Sequence, residues 1–218
     1  MERTPKEIVR VLRQLERVDP DLVEVRFDLL GDMSSLAEIR RATDRPMIAT
    51  NRRRTDGGVF HGTEATRMES LIQAAQEGFD FVDVELSASE VHGFVRRLER
   101  EGARTIVSYH NLRSTPQQPV LESILKREKK AGASVCKIVT TAKSDSDSFR
   151  SLAFVRKHAR NTKLVCFAMG KLGTPSRVLS PILGAYFTFA SPRLGKETAI
   201  GQIPVRDLRT LYERLDVA

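Results

Sequence analysis

The sequence predicts an α/β fold of parallel β/α units closed as a (β/α)8 barrel, and three observations lead there. Short β-branched runs alternate with segments of helical period along the chain. No linker or shift in composition divides them, so residues 1–218 read as a single barrel domain. Charged and polar residues also recur on one face of several strand-like runs, which suits side chains converging at a barrel mouth.

Taken in order, the chain opens on a helical segment over residues 4–17, where Ile8, Val11, Leu12 and Leu15 form one stripe. Asp19-Pro20 stops it. In the first strand-like run, 23-VEVRF-27, the residues Val23, Val25 and Phe27 point one way; Glu24, Arg26 and then Asp28 point the other. The run 46-PMIAT-50 ends with Thr50 and Arg52 sharing a face. Met68, Leu71, Ile72 and Ala75 mark a helix, with Gly78 placed as its C′ residue. In 81-FVDVEL-86, the apolar Val82, Val84 and Leu86 oppose Asp83 and Glu85. Val91, Phe94, Val95 and Leu98 form the next helical stripe, closed by Gly102. In 105-TIVSYH-110, Ser108 and His110 share a face opposed by Val107 and Tyr109. The run 134-SVCKIV-139 follows Gly132, and the helix behind it starts at Ser144 or Asp145, both good N-caps. The runs 163-KLVCFAM-169 and 186-YFTFA-190 bring the count to seven strands.

An open doubly wound sheet fits the same alternation. Its strands are covered by helices on both faces, however, and read as apolar throughout. For any one charged position, inter-strand ion pairing in an ordinary core is an equal explanation. Four strands sharing the pattern favour a site.

Composition narrows the function classes. The formal charge is +8, which would steer anionic substrates or attract nucleic acid. No block of five or more like charges occurs, so a basic nucleic-acid-binding tail is not expected. The two cysteines, Cys136 and Cys166, sit in apolar runs without metal-ligand spacing and read as buried free thiols. The N-terminus carries charges where a signal peptide is apolar, and no apolar stretch reaches membrane-spanning length. A soluble cytoplasmic protein with no nucleic-acid or membrane partner is expected.

Lys137 is the residue that asks for chemistry. It stands in a run that otherwise reads as buried strand, on the face of Val135 and Val139. Burial and cations such as Arg26 or Arg52 would disfavour its charged form, and a neutral amine attacks ketones and aldehydes to form a Schiff base. Pairing with Asp83 or Glu85 is the plainer alternative. His110, at the end of its strand, suits removing and returning a proton, and Asp56, in the loop after the second strand, suits orienting an imidazole. The residues alone lead to a Schiff-base lyase or aldolase in a β/α barrel.

A series of motifs carries a family resemblance: 24-EVRFD-28, a run ending in 56-DGG-58, 82-VDVEL-86, 108-SYHN-111, the strand around Lys137, 169-MGKLGTPSR-177 and 198-TAIGQIPV-205. Each is weak alone, but together their order and spacing resemble the type I 3-dehydroquinate dehydratases of the shikimate pathway, over residue 4 to the C-terminus. The resemblance implies a (β/α)8 TIM barrel, a homodimer, and no metal or organic cofactor. The substrate would be 3-dehydroquinate. Lys137 would form an imine at C3; His110 would take the C2 proton and return it to the departing C1 hydroxyl. Asp56 would be the carboxylate partner of His110. The resemblance assigns Glu24, Arg26 and Arg52 to the substrate hydroxyls and Arg177 to the substrate carboxylate, for which a guanidinium fork is well shaped. It places Thr198 and Gln202 on a loop, 191-SPRLGKETAIGQIP-204, covering the substrate.

Three departures stand out. Asp56 occupies a place where many members have Glu, and Thr198 one where serine is frequent, although its hydroxyl is retained. Members also usually begin with a strand, whereas this chain opens on a helix, so the first N-terminal strand is expected to be lacking: either another segment or another chain supplies the eighth strand, or the true start lies upstream, or the barrel is open on one side. The edge beside 23-VEVRF-27 would then need covering. Two other readings compete. One is another Schiff-base barrel enzyme such as a class I aldolase, which would lack His110, Arg177, Thr198 and Gln202 as a set. The other is a catalytically silent basic binding protein, which would show salt-sensitive binding and no imine chemistry.

Overall fold

The computed structural model describes residues 4–30, 33 and 35–217. The chain forms two compact units, Met1–Val107 with Lys130–Ser134, and Ser108–Lys129 with Val135–Ala218.

In the first unit, helix α1 (Pro5–Leu15) begins with a capping box: Thr4 Oγ1 accepts from Glu7 N, and Glu7 returns a carboxylate to Thr4 N. Pro5 stands in its first turn, where no backbone donor is missed. The buried line of α1 runs through Val9 and Leu12, while Ile8, Val11 and Leu15 are half-buried on its flank. Leu12 belongs to the expected stripe, and Val9 is buried without having been expected in it. The helix stops in a 3-10 turn, Glu16–Val18, followed by left-handed Asp19 (φ 51°).

Strands β1 (Val23–Arg26), β2 (Met47–Thr50) and β3 (Phe81–Glu85) pair in parallel, joined by helices α2 (Leu36–Arg40) and α3 (Glu64–Gln76). Arg26 lies opposite Thr50, and Thr50 opposite Asp83. Because side chains alternate along a strand, Glu24, Arg26, Thr50, Asp83 and Glu85 share one face, as the pattern of charges predicted. Val25 is buried and the other three residues of β1 are half-buried. Helix α4 (Val91–Arg100) buries all four expected residues, Val91, Phe94, Val95 and Leu98. Gly78, Gly102 and Gly132 all have positive φ, as C′ residues do. Strand β4 (Arg104–His110) begins in this unit and ends in the second.

In the second unit, α5 (Gln118–Lys130, its last residue in the first unit) precedes β5 (Val135–Thr141), and α6 (Asp145–His158) leads to β6 (Leu164–Met169). Ser144 is the N-cap of α6, and Asp147 Oδ2 accepts from the backbone N–H groups of Lys143 and Ser144. β5 and β6 pair in parallel with Lys137 opposite Val165 and Val139 opposite Phe167. Two further helices follow, α7 (Thr174–Leu179) and α8 (Val205–Arg214).

Six strands are present among the described residues, not seven. The segment 186–190 meets β6 where Tyr186 N donates to Leu164 O (2.8 Å), but it builds no ladder. Its aromatic side chains pack on one another instead, Tyr186 on Phe187 and Phe187 on Phe189. Beyond it, Ser191 bridges to Pro204. Cys136 and Cys166 are buried free thiols, as expected. Burial pushes the Cys136 thiol up to about 12, with the Glu128 carboxylate adding to the shift. Among the described residues, no helix is long and apolar enough to cross a membrane.

Candidate active site

Glu24, Arg26 and Arg52 lie together in the first unit. Thr50 Oγ1 donates to Glu24 Oε1 (2.8 Å), which the β1–β2 register makes possible by putting both on one face. Arg26 grips Asp28 with two bonds, Nε to Oδ1 at 2.8 Å and Nη2 to Oδ2 at 2.7 Å. Arg52 follows β2 and is 4% exposed. Its Nη2 lies 2.7 Å from Asp83 Oδ2 and its Nη1 donates to Glu85 Oε1 at 3.0 Å. Burial opposes the charge of Arg52, yet Asp83, Glu85 and Glu24 more than offset that penalty, so its pKa lies above the ordinary arginine value. Burial likewise pushes the Asp28 carboxyl up, but the bond and charge of Arg26 outweigh it and hold Asp28 below the usual carboxylate range.

Behind this cluster lies Arg67, a residue that the sequence reading did not single out. It is fully buried on α3, and its guanidinium meets Glu64 with two bonds (2.9 and 2.7 Å), the Asn51 carbonyl (3.0 Å) and Glu85 Oε2 (2.7 Å). A signal did exist: Arg67 is four residues before Leu71 and eight before Ala75, on the buried face of α3.

The loop after Arg52 explains 56-DGG-58 physically. Gly57 has φ 84°, a left-handed conformation that a side chain disfavours. Gly58 packs so closely that a Cβ there would stand 2.1 Å from the Arg52 carbonyl oxygen. Asp56 ends a 3-10 turn in this loop and binds Arg53 Nη2 (2.9 Å) and Thr55 Oγ1 (2.7 Å), both through Oδ2.

Lys137, His110, Arg177, Thr198 and Gln202 belong to the second unit. Lys137 is 4% exposed, and its Nζ stands 4.2 Å from the ring centre of Phe189. Half-buried His110 ends β4, and the next residue, Asn111, donates its N–H to Val139 O at 2.8 Å. That bond puts the end of β4 beside β5, one pleat past Lys137. Arg177 stands on α7, whose first turn is tied to β6: Ser176 Oγ accepts from Ala168 N and donates to Gly173 O. The Arg177 guanidinium lies 4.1 Å from the Phe167 ring centre, and its Nη1 donates to Phe189 O at 3.3 Å. In the loop beyond, Gln202 Oε1 accepts from Thr198 N (2.7 Å) and Thr198 Oγ1 (3.3 Å). Among the described residues, no cluster of three His, Cys, Asp or Glu side chains could hold a metal ion.

A family model described as Type I 3-dehydroquinase matches residues 1–217. The chain belongs to the type I 3-dehydroquinase family. A relative from Methanopyrus kandleri, a 3-dehydroquinate dehydratase, is 36% identical, with 98% of this chain and 96% of the relative covered. The 3-dehydroquinate dehydratase of Dehalococcoides mccartyi is 35% identical over 193 residues, or 88% of this chain and 85% of that protein. The crystal structure of the 3-dehydroquinate dehydratase from Geobacillus kaustophilus matches with a TM-score of 0.90 at 27% identity, over 97% of this chain and 87% of that one. The β/α-barrel class expected from the alternation of elements is borne out by that likeness, as is the expectation of an enzyme of this family.

Proposed function

We propose that the chain converts 3-dehydroquinate to 3-dehydroshikimate through an imine on Lys137, the third step of the shikimate pathway. The observation that carries this reading is Lys137 itself: a 4%-exposed amine in the middle of β5, in a chain of this family. A buried amine is a nucleophile toward a ketone. Lys137 Nζ adds to C3, water leaves, and the resulting iminium acidifies C2. His110 takes the C2 proton, and the electron pair left behind moves into the iminium to give an enamine. The enamine expels the C1 hydroxyl, which His110 protonates as it leaves as water. Hydrolysis of the imine returns the ketone and the amine, so the net loss is one water.

The positions of the remaining residues support their roles. The Arg177 guanidinium takes the substrate carboxylate in a bidentate grip. Glu24, Arg26 and Arg52 take the hydroxyls, and the ion pairs around Arg52 hold its fork in one orientation. The present contacts of Asp56 use Oδ2; Oδ1 is the oxygen that this reading assigns to the imidazole of His110. Thr198 and Gln202 cover the substrate, exchanging their mutual bond for bonds to it. The enzyme works as a homodimer in the cytoplasm, without metal or organic cofactor.

The test is incubation with 3-dehydroquinate and borohydride, then peptide mapping. A reduced adduct on Lys137 is expected in the wild type and not in Lys137→Ala, which keeps its fold and loses turnover. An adduct on another residue, or an active enzyme that gives none, overturns the mechanism.

A further inference from the structure

Two aromatic rings stand between the amine of Lys137 and the guanidinium of Arg177. Lys137 Nζ lies over the face of Phe189 at 4.2 Å; Phe189 and Phe167 meet edge to face, with centres 6.3 Å apart; Arg177 lies over the face of Phe167 at 4.1 Å. The ladder closes through the backbone, because Arg177 Nη1 also donates to the Phe189 carbonyl. Strand register supports the arrangement: Phe167 lies opposite Val139, which is on the face of Lys137. A ring face attracts a cation through its quadrupole, so Phe167 holds the Arg177 guanidinium, Phe189 gives the Lys137 nitrogen a face to rest on, and the edge-to-face contact fixes the rings against each other.

We propose that Phe189 and Phe167 are positioning residues that set the separation between the imine-forming amine and the carboxylate-binding guanidinium, and so select substrates whose ketone and carboxylate are in a 1,3 relation on a six-membered ring. The inference rests on the Schiff-base reading above. The substrate of that reading has its carboxylate on C1 and its ketone on C3. With the carboxylate seated on Arg177, a ketone two ring carbons away and one three ring carbons away stand about one bond length, ~1.5 Å, apart, so an amine placed for the first is misplaced for the second. A misplacement of that size at a reacting centre costs about 100-fold in rate. Phe189 also faces the nitrogen that becomes cationic in the iminium, so its ring face favours the charge that forms after attack.

The test uses two ketoacids that differ only in spacing, 3-oxocyclohexanecarboxylate and 4-oxocyclohexanecarboxylate. Each forms an iminium on the amine with loss of water, and borohydride reduces the iminium to a secondary amine that mass mapping quantifies. In the wild type the 3-oxo acid is expected to label Lys137 at least about tenfold faster than the 4-oxo acid. Phe189→Leu and Phe167→Leu, tested separately, should bring the two rates within about threefold, whereas Phe189→Tyr, which keeps the ring face, should retain the preference. Thermal unfolding of each variant separates a lost fold from lost spacing, and the ratio within one variant is insensitive to the amount of folded protein. An unchanged ratio in both leucine variants overturns the inference, as does a wild type that labels equally with the two acids. Failure of 3-dehydroquinate itself to label wild-type Lys137 overturns instead the Schiff-base reading.

Discussion

Arg67 Nη1 lies 2.7 Å from Glu85 Oε2, and both side chains are closed to solvent. Glu85 is held from two sides, since its other oxygen accepts from Arg52. A helix residue with no place in the chemistry thereby fixes the carboxylate that orients a proposed substrate ligand.

Removing Arg67 should be costly. Arg67→Met leaves Glu85 with a buried charge less well compensated, and breaking one side of a buried pair costs about 3–5 kcal/mol. Urea denaturation should show the unfolding free energy fall by that amount, through a lower midpoint at an unchanged slope. Arg67→Lys, which keeps the charge without the fork, should recover part of the loss. An unfolding free energy within about 0.5 kcal/mol of wild type for Arg67→Met would mean that the pair contributes nothing.

Asp28 should make stability fall in acid. Its folded-state pKa lies below its ordinary value of 3.8. Its contribution is therefore fully present above about pH 4 and is lost as pH falls through the lower folded value. Asp28→Asn should lower the melting temperature at pH 7, and the gap between variant and wild type should narrow below about pH 4. A gap that is constant from pH 7 to pH 3 would show that the Arg26–Asp28 pair is not responsible.

His110→Ala should separate imine formation from proton transfer. Turnover should drop by about 10²–10⁴, the usual worth of a positioned acid–base group, while borohydride trapping on Lys137 persists. Normal turnover would remove His110 from the mechanism.

Gly58→Ala should damage the fold locally. The added methyl would meet the Arg52 carbonyl oxygen at 2.1 Å, so the backbone must move. Overpacking of this kind costs about 1–3 kcal/mol. Because the strained carbonyl belongs to Arg52, KM should rise more than kcat falls. A variant with wild-type melting temperature and KM would refute the close approach.

Much of the fold is legible in the sequence. The alternation of β-branched runs and helical stripes specified β1 to β6, because period 2 and period 3.6 leave different marks on a chain. Lys137 announced itself because an ammonium in a buried strand contradicts its surroundings. The segment 186–190 misled because aromatic and β-branched residues favour strands, yet they equally favour packing on one another, as Tyr186, Phe187 and Phe189 do. Arg67 escaped notice because an arginine three residues after a glutamate reads as a solvated surface pair.

The sequence by itself determined β1 to β6, the family and the candidates for the reactive side chains, since local period and motif order are properties of the chain. Tertiary structure alone decided which charges meet. Whether Glu85 faces Arg52 and Arg67, and whether Lys137 and Arg177 each rest on a ring, depends on register between segments distant in the chain. Burial then gives those contacts their strength, because an ion pair or a cation over a ring is worth little until water is excluded from it.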